Sequence, residues 1–303
     1  MKLPILKIPE YLSPSSMGEW NTCQMKFYLK RMASNLYIPN LQSYPAAVGS
    51  VFDAYVKCAL AREIGHDLGE PSKIIEKNVD ASLRDRAVEE GSRLFSQYKT
   101  HGCFKRLLAR GIMFIELDKT AFIEDDTGSS VPIRGLPDMF EKDGRPVEVK
   151  VSGAGSKSGQ SPCQGYMSCY HNGVNKGAHS KFGEPLELLN EDWAKQLVTY
   201  NWIYAGLLPW RNVDVAIEQV AIRGTTVAFA TIRTFVGIPF QERVYADYKK
   251  AWQAVQEGDI QEAQPSPDRC NKWGTLCEVS TMCTKYNELQ AMSPELRELR
   301  GYR

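Results

Sequence analysis

Apolar residues along this chain switch between the helical and the strand period. Residues 13–32, "SPSSMGEWNTCQMKFYLKRM", carry Ser and Pro start signals, then Met17, Trp20, Phe27 and Leu29 on one face, which predicts a single helix turned toward a core. Residues 46–64, "AAVGSVFDAYVKCALAREI", and about 72–98 also read as helices. Alternation then takes over. "GIMFIELD" (111–118), "VPIRGLPDMFE" (131–141) and "RPVEVKV" (145–151) predict three strands of one antiparallel sheet, the last two joined by a turn at Lys142, Asp143 and Gly144. Further on, "NEDWAKQLVTYNWIYAGLL" predicts a long helix beginning near Asn190, "VDVAIEQVAIRG" and "TTVAFATIRTF" a second hairpin, and residues 239–257 a helix. Helices, strands, helix, strands, helix in that order imply an α/β (α+β) fold, a mixed sheet flanked by helices.

Two segments have no period. Residues 152–185 are rich in Gly and Ser, and a structureless loop of that length inside a compact domain is more often a functional flap than a linker. The tail carries "PSPDRCNKWGTLCEVSTMCTKY". The expected organisation is an N-terminal helical region (1–110), a core (111–257) holding the 152–185 insertion, and a Cys-rich tail (258–303). No internal repeat is visible.

Composition narrows the class. With 303 residues, 43% hydrophobic and 24% charged, the chain is a globular protein with one large core and appendages or two small domains, which excludes a fibre or a disordered tail. No stretch is apolar enough for a membrane span, and prolines interrupt "MKLPILKIPEYLSPSS" where a signal peptide needs an apolar run. A cytoplasmic protein without a membrane partner is expected. In a reducing cytosol the eight cysteines are better candidates for metal or cluster ligands than for disulfides. At a net charge of +1, a nucleic-acid binder needs its positive surface confined to a groove.

The chemistry concentrates in "GLPDMFEKDGRPVEVK", residues 135–150. On a strand Glu148 and Lys150 share one face, while Val147, Val149 and Val151 take the other. If the turn is a three-residue loop with Gly144 left-handed, Asp138 falls opposite Glu148; a two-residue loop puts it on the wrong face. Adjacent carboxylates repel unless a cation lies between them. Hard oxygen ligands with no imidazole nearby favour Mg²⁺ or Mn²⁺, and a lysine beside that ion can hold a water, the chemistry of phosphodiester hydrolysis. Polar residues at strand ends and an E-x-K on a solvated face are the ordinary alternative.

These residues resemble the PD-(D/E)XK nuclease superfamily, specifically its RecB-like branch, which includes the CRISPR-associated RecB-like exonucleases with an iron-sulfur cluster. The likeness runs over almost the whole chain: "LSPSSMGEWNTCQMKFYLKRM" is similar to the opening helix, "AAVGSVFDAY" to the glycine helix, "GLPD" and "EVK" to the core pair, "QLVTY" to the Q-x-x-x-Y helix, and the terminal cysteines to the cluster tail. The resemblance implies a restriction-endonuclease-like core whose tail closes on the N-terminal helix. Asp138 and Glu148 would bind the divalent metal, Lys150 would aid the attacking water, and Gln196 and Tyr200 would face the active centre. The last two, at i and i+4, share a helical face, as any amphipathic helix would arrange them. Asp53 stands where the family has a ligand histidine, as a substitute ligand or as an acid of no catalytic consequence.

The resemblance also implies a [4Fe-4S] cluster on Cys23, Cys270, Cys277 and Cys283. The last interval, C-x5-C, agrees with the family; six residues between Cys270 and Cys277 do not. Zinc on the same thiolates, or reduced cysteines packed in a core, are the alternatives. Cys163, Cys169, His171 and His179 in the 152–185 loop match no common zinc module. That loop reads instead as a flap whose Lys157, Lys176 and Lys181 meet phosphates and whose Tyr166 and Tyr170 stack on bases.

The expected function is therefore a metal-dependent DNA exonuclease of recombination or repair, acting on ends or single strands, with a homo-oligomer or a recombination partner protein as further company. A nucleic-acid-binding subunit without turnover, or a structure-dependent endonuclease, are the rival readings.

Overall fold

A computed structural model describes residues 6–37, 41–124, 128, 130–152, 191–206, 211–223, 226–258, 270–272 and 275–291. The chain forms two units that do not follow chain order. One gathers Met1–Asn40, Thr120–Arg134 and Glu242–Arg303, the other Leu41–Lys119 and Gly135–Gln241. Among the described residues, no helix is long and apolar enough to cross a membrane.

The second unit is a mixed sheet flanked by helices. Its five strands are β1 (Ile112–Ile115), β4 (Met139–Glu141), β5 (Pro146–Ser152), β6 (Val213–Arg223) and β7 (Thr226–Val236), hydrogen-bonded in the order β1-β4-β5-β6-β7. All neighbours are antiparallel except β5 and β6, which run parallel in the register Glu148↔Ile217 and Lys150↔Gln219. The parallel pair needs a crossover, and helix α7 (Glu191–Ala205) lies in that connection. Helices α3 (Tyr44–Glu63), α4 (Pro71–Asn78), α5 (Ala81–Thr100) and α6 (Cys103–Ala109) supply the helical layer. Val48, Val51, Phe52 and Leu60 of α3 bury their side chains with Leu94 and Tyr98 of α5 against Val147 and Val149 of β5.

Within this core a buried ionic network ties three strands to α5 and to the chain just after α6. Glu141 pairs with Arg110, Arg145 and Arg233, while Glu218 pairs with Arg110 and accepts from the Tyr98 hydroxyl at 2.8 Å. Losing Glu141 or Glu218 would leave buried guanidinium charge uncompensated, so removing either acid destabilises the fold far more than removing a surface pair does.

The first unit holds α1 (Pro14–Thr22), α2 (Gln24–Phe27), α8 from Glu242 onward (the whole helix is Ile238–Glu257), the hairpin of β2 (Lys119–Glu124) and β3 (Ser130–Gly135), the short ribbon β8 (Asn271–Lys272) and β9 (Thr275–Leu276), and α9 (Thr284–Ala291). Ser13 caps α1, accepting from the Ser16 amide, and the Ser16 hydroxyl accepts from the Ser13 amide in return.

Three expectations need correction. The helix expected over 13–32 is broken: Cys23 is extended (φ −165°), ending α1, and the chain resumes as α2 and a π-helical turn over Tyr28–Met32. The strand expected over 131–141 is two strands, because Pro137 offers no N–H to a ladder; β3 pairs with β2 in a separate ladder and β4 joins the main sheet. The helix expected over 72–98 divides at Val79 and Asp80 into α4 and α5. Strand β2 and helix α6 were not foreseen. The 152–185 flap expectation, with its Cys163, Cys169, His171 and His179, falls almost wholly outside the described residues.

Candidate active site

The β4–β5 turn builds the first half of the site. Met139 pairs with Val147 and Phe140 with Pro146, Glu141 donates to the Arg145 carbonyl at 2.9 Å, and Gly144 has φ +86°. This is the three-residue loop with a left-handed glycine, and it sets Asp138 against Glu148. The Val149 amide donates to Asp138 Oδ2 at 2.7 Å, fixing the carboxylate across the ribbon. Two residues along β5, Lys150 Nζ lies 2.8 Å from Glu148 Oε2.

Helix α7 supplies the next groups. Gln196 Oε1 accepts from Lys150 Nζ at 3.1 Å, and its Nε2 donates to the Tyr200 hydroxyl at 2.9 Å. The i, i+4 pair thus acts in series: Tyr200 orients the amide, and the amide orients the ammonium. Gly135, the first residue of "GLPD", lets this helix in. A Cβ there would lie 2.7 Å from both Tyr200 Cδ1 and Ile203 Cδ1.

Helix α3 brings the expected Asp53 to the site, and α3 and the residue after β1 add Lys57 and Glu116, which sequence reasoning missed. Lys57 Nζ lies 2.6 Å from Asp53 Oδ2, 2.7 Å from Glu116 Oε1 and 2.6 Å from Asp138 Oδ1. Its side chain is only 6% exposed. All three ammonium protons therefore have carboxylate partners. Glu116 adopts φ +48°, a left-handed conformation strained for a residue with a side chain and often kept at functional sites. Lys57 stands four residues after Asp53 on one helix and Glu116 follows a strand. Both placements are common on solvated surfaces, so neither Lys57 nor Glu116 is a signal by itself.

Four carboxylates and two ammonium groups in one place shift each other's ionisation. Burial, and then the Asp138 charge, raises Glu148 to about 7. The same two causes raise Asp53 well above the usual carboxylate range. For Asp138 burial works in the same direction but is outweighed by Lys57 and Lys150, which hold it below its ordinary value. Burial would lower both lysines; Asp138, Asp53 and Glu116 raise Lys57 well above its usual value, and Glu148 followed by Asp138 raises Lys150. Carboxyls pushed apart in this way mark groups suited to different roles.

The donor set fits a divalent ion. Every convergent acid offers hard oxygen, a cation already sits among them, and the buried Asp53 Oδ1 has no hydrogen-bond partner. Among the described residues, no three His, Cys, Asp or Glu side chains close into metal-ligating geometry of their own; the acids close on Lys57 instead.

The expected thiolate group lies entirely in the first unit, and none of its four cysteines is in a disulfide. Cys270 and Cys277 flank the β8–β9 ribbon, and the Cys277 amide donates to the Cys270 carbonyl at 2.8 Å. The interval unusual for the family thus spans a hairpin whose ends meet. Cys277 and Cys283 pack with Leu29, Met25 and Tyr28, and Cys23 is the N-cap of α2. Glu278 pairs with Lys26 and Lys30, so the tail does close on the N-terminal helical segment. The four thiols thus lie on two stretches of one unit, the N-terminal helical segment and the tail.

No protein-family model matches the chain, and no curated protein matches it. Among solved structures, the one described as "Crystal structure of SSO0001" aligns with a TM-score of 0.32 at 13% identity, covering 78% of this chain and 95% of that one.

Proposed function

We propose that the chain is a Mg²⁺- or Mn²⁺-dependent deoxyribonuclease that shortens DNA from ends. The reading is carried by the convergence of Asp138, Glu148 and Lys150 on one short ribbon, with Gln196 and Tyr200 aligned behind the lysine. Asp138, Glu148 and Asp53 would hold the ion, which when bound lowers the pKa of a water and offsets charge on a phosphate. Lys150 donates to Glu148 Oε2 and to Gln196 Oε1, and its remaining ammonium proton would hold the nucleophilic water. Hydrolysis adds that water's hydroxyl to phosphorus, releases the 3′ oxygen and delivers the remaining proton to it. The cysteines would carry a [4Fe-4S] cluster, or zinc, as a structural fastening of the first unit.

The test is end-labelled linear DNA with Mn²⁺. Wild type should shorten it, and Lys150→Ala should slow the reaction by about a hundredfold or more. Intact substrate with wild type and variant alike sinks the enzymatic reading. Rapid linearisation of covalently closed circles would make it an endonuclease. The Lys57 ammonium among the acids favours one second reading, a subunit that binds nucleic acid without metal and without turnover.

A further inference from the structure

The motif that led to the site does not account for Lys57, yet Lys57 stands at its centre. Its ammonium bonds at once to carboxylates from three elements, α3, the end of β1 and the residue before β4, at 2.6 to 2.7 Å. It is buried, and its own helix supplies Asp53, so backbone geometry carries the amine into the cage. An ammonium and a dication seek the same carboxylates, and an ion bound to Asp53 and Asp138 would repel an ammonium held 2.6 Å from each of them.

We infer that Lys57 is a resident counter-ion that competes with the divalent metal for this cage. Resting on the nuclease reading of the same site, the inference concerns its loading. In the metal-free protein Lys57 neutralises acids that would otherwise repel one another; for an ion to enter, the amine must leave Asp53 and Asp138. Glu116 is the acceptor that can keep it, because it lies outside the ligand set of Asp53, Asp138 and Glu148 and is already bonded to the amine. The strained backbone of Glu116 fits this assignment, since a relaxed conformation would turn its carboxylate elsewhere. Metal affinity is then set by the swap, weaker than the three ligand carboxylates alone would give.

The experiment measures Mn²⁺ uptake by the full chain without DNA, following free Mn²⁺ by electron paramagnetic resonance in equilibrium dialysis. Lys57→Met keeps the length of the side chain without its charge, and should bind Mn²⁺ about tenfold or more tightly than wild type, since the acids lose their internal cation. Lys57→Gln, which retains a polar end, should shift the same way and serves if the methionine variant folds poorly. A third arm needs no variant: reductive methylation of wild type, read by peptide mass spectrometry, should label Lys57 faster when Mn²⁺ is added. Unchanged or weaker binding in folded variants, or labelling of Lys57 indifferent to Mn²⁺ that is bound, overturns the competition and leaves the nuclease reading standing. Failure of wild type and both variants to bind any Mn²⁺ overturns both.

Discussion

Glu148 keeps its proton to about pH 7 because it is buried and faces Asp138, and this gives the metal-free protein a definite response to pH. A carboxyl raised on folding binds more protons in the native state than in the unfolded one, so stability falls as pH rises between the two values, from about 4.5 to about 7 here. Asp53, also raised, adds to the fall. Asp138, lowered, contributes stability present above 3.8 and lost as pH falls through its folded value, outside that window. Thermal unfolding in chelator should therefore show a melting temperature that declines across the window, and Glu148→Gln should flatten much of the decline. A flat wild-type profile would contradict the burial of that acid. Asp138, Glu148 and Lys150 were legible because strand alternation and one turn length fix their geometry together. Lys57 and Glu116 were not, because the contact that gives them meaning joins residues 59 apart.

Among the elements, the most exacting junction is the one between Gly135 and α7. The "GLPD" stretch reads as turn chemistry before an acid, but its glycine serves packing, where the rings and methyls of Tyr200 and Ile203 fill the place of a side chain. Gly135→Ala should cost about 1–3 kcal/mol in denaturant unfolding, as overpacking does. Because Tyr200 holds Gln196 and Gln196 holds Lys150, nuclease activity should fall further than stability alone explains. An alanine variant with wild-type stability and rate would show that α7 has room to withdraw. Helix α7 and the β6–β7 hairpin were readable from their periods. The break at Cys23 was not, since apolar residues continue on both sides and only hydrogen-bond partners show where the helix stops, whereas the break before β4 had its signal in Pro137, which supplies no ladder donor. The parallel pairing of β5 with β6 was likewise hidden, because local sequence specifies a strand but not its neighbour.

At the scale of the molecule, a linear division at residues 110 and 258 follows composition, whereas contacts gather the first forty residues with the last sixty-two into one unit. The cysteines belong to that unit, and their chemistry is testable in colour. Anaerobically purified protein should be brown, and Cys283→Ser should be colourless, poorly soluble and lower in melting temperature. A serine variant that keeps both colour and melting temperature removes Cys283 from the ligand set; a colourless wild type containing zinc replaces the cluster with that metal. The order of cysteines was readable, but the meeting of Cys270 with Cys277 was not, because it depends on a ribbon of two-residue strands.

The pairing of Lys30 with Glu278, 248 residues downstream, has a bearing on biogenesis. At translation speeds of about 5–20 residues per second, the ribosome needs roughly 12 to 50 seconds between the two. Throughout that interval Leu29, Met25 and Tyr28 lack the apolar cover that Val279, Cys277 and Cys283 later give them. The nascent polypeptide thus carries an uncovered apolar patch around Leu29 until the segment at Glu278 has been made, a window in which chaperone shelter would help.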